Sequence, residues 1–163
     1  MSDAWVINAS PIILYARISR LDVIERLAPK VIVPTTVLEE IRAGAQKDNT
    51  SKEAVSWAVQ YQQRDIPVPA TVERWDLGPG ESQVISFCLQ GERWAVMDDR
   101  MGRRCISAHG LQMIGSLGII LRAKIFGLIE TARPWVYKLK NEGMYIDVEL
   151  IERALSAMGE DCS

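Results

Sequence analysis

The sequence predicts an α/β fold built on a mostly parallel sheet, and three observations carry that prediction. Short apolar runs alternate with stretches of helical periodicity, the pattern of βα units laid on one sheet. The chain has 163 residues, 48% hydrophobic and 25% charged, an ordinary globular composition. That length can bury about two-thirds of its unfolded surface in one domain spanning 1–163 without disulfide or metal staples. The third observation is an acidic pair, Asp98-Asp99, that closes the apolar run Trp94-Ala95-Val96-Met97. In open α/β sheets, ligands gather beyond the carboxyl ends of the strands.

Taken in order, Trp5-Val6-Ile7 reads as the first strand, ending at Asn8. Ser10 and Pro11 open a helix, because Pro tolerates an early helical position where its missing N–H costs nothing. Ile12, Ile13, Ala16 and Ile18 supply its buried face. A short helix over Leu21 to Leu27 follows, with Ser19 or Asp22 available as cap. Val31-Ile32-Val33 forms a second strand stopped by Pro34. Thr35 caps a helix whose Val37, Leu38 and Ile41 face the core and which Gly44 ends. Ala45 to Ser51 is polar and reads as a mobile loop. Glu53 to Gln63 reads as a helix on the spacing of Val55, Ala58, Val59 and Gln62. Pro67-Val68-Pro69 is extended and confined to an edge or connection. Gly78-Pro79-Gly80 turns the chain into a helix from Glu81 to about Gln90. After the Trp94 to Met97 strand come a helix over Met101 to Ala108, a strand over Leu111 to Ile114 and a helix over Leu117 to Phe126. Two further helices follow Glu130 and Asp147.

Several function classes lose support at this level. A net charge of −2 gives no global attraction for nucleic acid, so any such binding needs local patches. Cys88, Cys105 and Cys162 are far apart with no CxxC pair, which fits reduced thiols in a cytoplasmic protein and argues against zinc. The longest apolar stretch, Ile114 to Phe126, is interrupted by Gly115, Ser116, Gly118, Arg122 and Lys124, so no membrane span is expected. The turn at Gly78 lacks the Lys-Ser/Thr ending of a phosphate loop. His109, the single histidine, sits beside Gly110 at a helix end, which leaves Ser-His or Cys-His catalysis little support. Met97, Met101, Met113 and Met158 read as packing residues, and Trp57, Trp75 and Trp135 as buried or partner-facing.

Asn8, Glu40, Glu81, Asp98 and Asp99 each fall at or near an element terminus. Helix N-termini and strand C-termini share one rim in βα units, so these groups can surround one site. Mg²⁺ and Mn²⁺ favour such hard oxygen ligands, completed by waters and phosphate oxygens. Clustered carboxylates without a cation would repel one another. The Asp pair alone fits a helix-capping turn equally well. Arg100, Arg103 and Arg104 follow within the next turns and suit phosphates beside a metal or a solvated helix face; Lys124 and Arg17 suit the same use.

VINASPII (Val6 to Ile13), VLEEI (Val37 to Ile41), LGPGES (Leu77 to Ser82), VMDDRMGRR (Val96 to Arg104) and GLQMIGSLGIILRAKIFGLI (Gly110 to Ile129) together resemble PIN domains, closest to the VapC-type toxin branch. The resemblance implies a three-layer α/β/α sandwich and a Mg²⁺- or Mn²⁺-dependent ribonuclease acting on an RNA substrate. It also implies a homodimer and neutralisation by a small antitoxin protein. Asn8 stands where active members carry a first aspartate, with Ser10 at the nearby hydroxyl position. Glu40 matches the helical glutamate, with Glu39 as its rival, and Glu81 an acid opening the next helix. Asp99 matches the strand-end aspartate, with Asp98 as second ligand or water holder. Arg100, Arg103 or Arg104 would position the phosphate. Because Asn8 brings no charge, the alternative is a non-enzymatic PIN-like module that binds RNA or protein over a decayed metal site. Haloacid-dehalogenase-type phosphoryl transfer lacks the paired aspartates expected after the first strand.

Overall fold

In the computed structural model, which describes residues 3–44 and 49–161, five strands form one all-parallel sheet. They are β1 (Ala4–Ile7), β2 (Val31–Pro34), β3 (Gln62–Gln63), β4 (Arg93–Val96) and β5 (Gln112–Ile114), in the order β3-β2-β1-β4-β5. Helices flank the sheet as an α/β/α sandwich. They are α1 (Ala9–Arg17), α2 (Leu21–Leu27), α3 (Thr35–Gly44), α4 (Asn49–Val59), α5 (Ala70–Glu73), α6 (Pro79–Cys88), α7 (Arg100–Ala108), α8 (Ser116–Ile125), α9 (Arg133–Asn141) and α10 (Val148–Ala157). No helix among the described residues is long and apolar enough to cross a membrane.

The central strands are apolar on both faces because helices cover both. Every residue of β1 and β2 is buried. Val6, Ile7, Ile32 and Val33 are fully removed from solvent, each contributing about 1.5–3 kcal/mol of transfer free energy. Register places Trp5 between Val31 and Trp94. The Trp5 and Trp94 rings stack with centroids 6.4 Å apart.

Several expectations need correction. The helix expected over Glu53 to Gln63 runs instead over α4, Asn49–Val59. Its inward face is Ser51, Ala54, Trp57 and Ala58, while Val59 is exposed. Gln62 and Gln63 leave the helix and pair with Val33 and Pro34 as a parallel edge. That strand is two residues long and carries no apolar signal. Of the polar stretch 45–51, residues 45–48 lie outside the described residues, as does Cys162, and residues 49–51 already belong to α4. In α1 the buried set is Pro11, Ile12, Leu14, Tyr15 and Ala16, with Ile13 only half-buried.

The starts of α3 and α9 are satisfied from afar, and the local caps expected for α2 and α3 are not used. Ser19 and Asp22 do not cap α2; Arg20 occupies that position and its guanidinium binds Asp22. Thr35 Oγ1 donates to Gln63 O at 3.1 Å, while Asp65 Oδ1 accepts the Thr36 N–H at 3.1 Å. Glu160 accepts the Ala132 and Arg133 N–H groups that open α9, at 2.7 and 3.0 Å. It also binds Lys124 Nζ at 2.7 Å. Lys124, a candidate phosphate contact by sequence, is thereby committed to holding the C-terminal helices together.

Candidate functional site

The strand order fixes where a site can form. From β1 the chain moves to β2 and β3 on one side; from β4 it moves to β5 on the other. The reversal leaves a crevice beyond the carboxyl ends of β1 and β4, the usual ligand position of such sheets. Asn8 leaves β1 there, with its N–H bonded to Val96 O at 3.0 Å. Asp98 and Asp99 leave β4 beside it. A cleft of about 660 Å³ opens at this point and is lined by Asn8, Ser10, Glu81, Asp98, Asp99 and Arg103 among others.

Asn8 is the N-cap residue of α1 yet makes no side-chain capping bond. It is 6% exposed, and its Oδ1 is the one buried side-chain polar atom among the described residues without a hydrogen-bond partner. Buried acceptors are otherwise satisfied almost without exception, so an orphan oxygen in a cleft signals a partner not made of protein. Ser10 lies exposed in the same first turn.

Asp98 is half-buried and accepts both the Ser116 N–H (2.8 Å) and the Ser116 hydroxyl (2.6 Å). It thus caps α8, whose own N-cap residue, Gly115, has no side chain to do so. Ser116 O in turn accepts the hydroxyl of fully buried Tyr15 at 2.7 Å. Burial pushes the Tyr15 hydroxyl well above its ordinary pKa and the Asp98 charge adds to this, so it stays a donor. Asp99 caps its own helix, accepting the Gly102 N–H at 2.7 Å. The helix-capping and ligand readings of the Asp pair therefore coexist: both aspartates cap helices, and both line the cleft.

Glu81, half-buried in the first turn of α6, also lines the cleft. Glu40 reaches the same helix from α3: its Oε1 accepts the Gly80 N–H at 3.0 Å. Of the rival pair, Glu40 and not Glu39 makes this bond. A Cβ at Gly80 would stand 2.6 Å from Glu40 Oε2, so a side chain there would push the carboxylate tip aside. Packing of the Glu40 tip raises its pKa; the Gly80 N–H opposes the rise and the nearby Glu81 charge adds to it. Glu40 is not part of the cleft lining; it shares the N-terminal end of α6 with Glu81.

Three helix N-termini, those of α6, α7 and α8, thus meet acids around the crevice. The partial positive charge of each draws negative groups, whether side chains or phosphates, to this rim. Among the described residues no three acidic, His or Cys side chains converge on one point close enough to hold an ion alone. The available set is two or three carboxylates and the Asn8 amide oxygen. That fits a hard cation bound through one or two carboxylates, with remaining positions filled by water and phosphate. No thiol or imidazole joins the set, which disfavours softer metals.

The arginines divide. Arg103 lines the cleft, and Gly115 makes room for it: a Cβ there would lie 2.7 Å from Arg103 Nη1 and 3.0 Å from Asp98 Oδ1. Arg100 and Arg104 are exposed on α7 and do not line the cleft. His109 ends α7 with Nδ1 2.8 Å from Cys105 O, a structural contact. Sequence reasoning missed the outer wall, formed by Gly143 to Ile146 and Leu150. An exposed tyrosine between two amphipathic helices was its only available signal.

A family model described as a PIN domain matches residues 4–160. The crystal structure of PAE2754 from Pyrobaculum aerophilum has a similar fold, with a TM-score of 0.53 and 12% identity over 75% of this chain and 97% of that one. That degree of identity speaks to fold alone. No curated protein matches the chain.

Proposed function

The chain belongs to the PIN-domain family, and from that premise we propose that it is a Mg²⁺- or Mn²⁺-dependent endoribonuclease similar in activity to the VapC-type toxins. PIN domains are in general a nuclease fold and depend on a divalent metal. The observation that carries the reading is the buried, unpartnered Asn8 oxygen in a cleft that Glu81, Asp98 and Asp99 also line. When bound, the cation would supply a Lewis acid for the phosphoryl oxygen and acidify the attacking water. Asn8 with one or two of Glu81, Asp98 and Asp99 would hold it directly, and the remaining acids and Glu40 would reach it through water. Ser10 would hydrogen-bond the surrounding water. Arg103 would bind the phosphate beside the scissile bond, and the N-termini of α7 and α8 would add partial positive charge. Arg100 and Arg104, exposed one turn away, suit flanking phosphates.

The capping roles decide which variants test this. Asp99→Ala and Glu40→Ala each remove a helix cap as well as an acid. Asp99→Asn and Glu40→Gln keep an acceptor for Gly102 and Gly80 and remove only charge. Calorimetric titration of Mn²⁺ and Mg²⁺ should show saturable binding in the native chain and at least a tenfold loss in the Asp99→Asn, Glu40→Gln double variant. RNA cleavage should fall at least a hundredfold while the melting temperature holds. Cleavage that survives in that variant would sink the proposal.

A second reading, a non-enzymatic PIN-like module for RNA or protein, draws on two observations: the neutral Asn8, and the structural work already done by Asp98, Asp99 and Glu40. On that reading the native chain binds neither ion, and Asn8→Asp creates both metal affinity and nuclease activity. A homodimer and a small antitoxin partner are parts of the VapC-like reading that sedimentation and co-expression would test.

A further inference from the structure

Arg103 enters the cleft with the acids, and among the described residues it is the only cation that lines it. Its guanidinium and the Asp98 carboxylate converge on the space that Gly115 leaves open. A Cβ at Gly115 would meet Arg103 Nη1 at 2.7 Å and Asp98 Oδ1 at 3.0 Å. Yet the two groups form no ion pair, and among the described residues the Arg103 side chain makes no hydrogen bond either. Half-buried, it is kept beside the acids by the start of α7, where its own N–H bonds Asp99 O at 2.9 Å.

The aspartates, by contrast, are fixed. Asp98 Oδ1 takes the Ser116 N–H and Oδ2 the Ser116 hydroxyl, while Asp99 Oδ2 takes the Gly102 N–H. Carboxylates tied to two helix N-termini cannot follow a ligand, whereas the end of an unbonded arginine side chain can. The charge free to turn in this cleft is therefore the positive one.

Its sign sets what binds. A divalent cation among Asn8, Glu81, Asp98 and Asp99 gains from the carboxylates and loses to the guanidinium beside Asp98, and the Asn8 amide adds no negative charge. A phosphate reverses the balance. Arginine matches phosphate oxygens with its planar fork, and a guanidinium drawn to them is drawn off the carboxylates. Phosphate oxygens also complete the shell of a hard cation.

We propose that Arg103 makes the cleft take up cation and phosphodiester together: it opposes the cation alone, and turns to a bound diester and so releases the acids. The inference rests on the nuclease reading and adds its regulation, because the ion is recruited with the substrate rather than stored ahead of it. By reciprocity, the cation tightens diester binding by the same factor.

The probes are Mn²⁺ alone and Mn²⁺ with an excess of dimethyl phosphate, a diester without sugar or base. Each is titrated calorimetrically into the native chain, Arg103→Gln and Arg103→Lys. In the native chain the diester should tighten Mn²⁺ about tenfold or more, within the usual range of coupling between sites. Arg103→Gln should bind Mn²⁺ alone at least fivefold tighter than the native chain, with less than a threefold further gain from the diester. Arg103→Lys keeps the charge and should leave the affinity for Mn²⁺ alone within twofold of native. A residue that only packs, or only binds phosphate, would not raise Mn²⁺ affinity when replaced. Melting temperatures without added ion verify the fold of each variant, and the native titration stands even if a variant unfolds. No gain from the diester in the native chain overturns the proposal, as does an Arg103→Gln variant that binds Mn²⁺ no tighter. Cleavage separates this from the nuclease reading. If the chain binds Mn²⁺ and cleaves RNA while Arg103→Gln changes neither affinity nor coupling, only the role of Arg103 falls. If it binds no Mn²⁺ with or without the diester and cleaves nothing, the nuclease reading falls and takes this role with it.

Discussion

Replacing Asn8 by aspartate would put a charge where a neutral oxygen now sits buried without a partner. A buried, unpaired carboxylate destabilises by several kcal/mol unless a cation answers it. Asn8→Asp is therefore expected to lower the melting temperature of metal-free protein and to show a larger rise on adding Mn²⁺ than the native chain does. Scanning fluorimetry with and without EDTA checks both. A second residue-scale prediction concerns Cys88, whose thiol burial pushes up to about 12, against a small opposing pull from Arg93. Iodoacetamide at pH 8 should leave Cys88 unmodified in the folded protein and label it fully in denaturant, as read by mass mapping. At this scale the sequence was informative about Asp98 and Asp99, because two charges closing a buried strand stand out from the apolar rhythm before them. It was silent about Tyr15 and Ser116. Tyr15 donates to Ser116, 101 positions away, and Ser116 donates to Asp98; nothing local marks either contact.

The helices show a consistent habit of borrowing caps. Asp65 serves α3, Glu40 serves α6, Asp98 serves α8 and Glu160 serves α9. Asp99, by contrast, serves its own helix. This is why element positions were legible in the sequence while the cap of α3 was not: a cap supplied across the fold leaves no local Ser/Thr/Asp signature. Asp99→Ala should cost about 1 kcal/mol in urea unfolding and Asp99→Asn almost nothing, since asparagine caps equally well. Glu160 permits a pH test. Burial alone would raise its pKa, but the bonds from Lys124, Ala132 and Arg133 outweigh it and hold the carboxyl below its usual range. Its contribution is therefore present above the unfolded glutamate pKa and disappears as pH falls through the lower folded value. Glu160→Gln should be less stable than the native chain by about 1 kcal/mol at pH 7. The difference should close as the pH drops below about 4.

For the molecule as a whole, a parallel α/β arrangement followed from alternating periodicities, since a buried strand and an amphipathic helix each leave a distinct apolar rhythm. The strand order did not follow, because nothing in a four-residue apolar run says which neighbour it pairs with. The β3 edge was invisible for a related reason: its stability comes from hydrogen bonds to β2 rather than from side chains. The C-terminal helices are integral to the packing. Val136, Leu139, Ile151 and Leu155 are all fully buried, and at about 1.5–3 kcal/mol each they account for most of a typical domain's net stability. A chain ended at residue 130 should accordingly show no cooperative thermal transition by circular dichroism.

The pairing of β1 with β4 also governs when the cleft can exist. Ala4 finds its partner in Arg93, and Tyr15 finds its own in Ser116. Contacts so distant along the chain close late, because the loop between them must be ordered first. A nascent chain that has reached α4 already carries Asn8 and Glu40, yet it has no second edge against which to form a crevice. On the nuclease reading this separates synthesis from harm: the ribosome making the chain, and the message it reads, face an inert polypeptide until the last strand has been released.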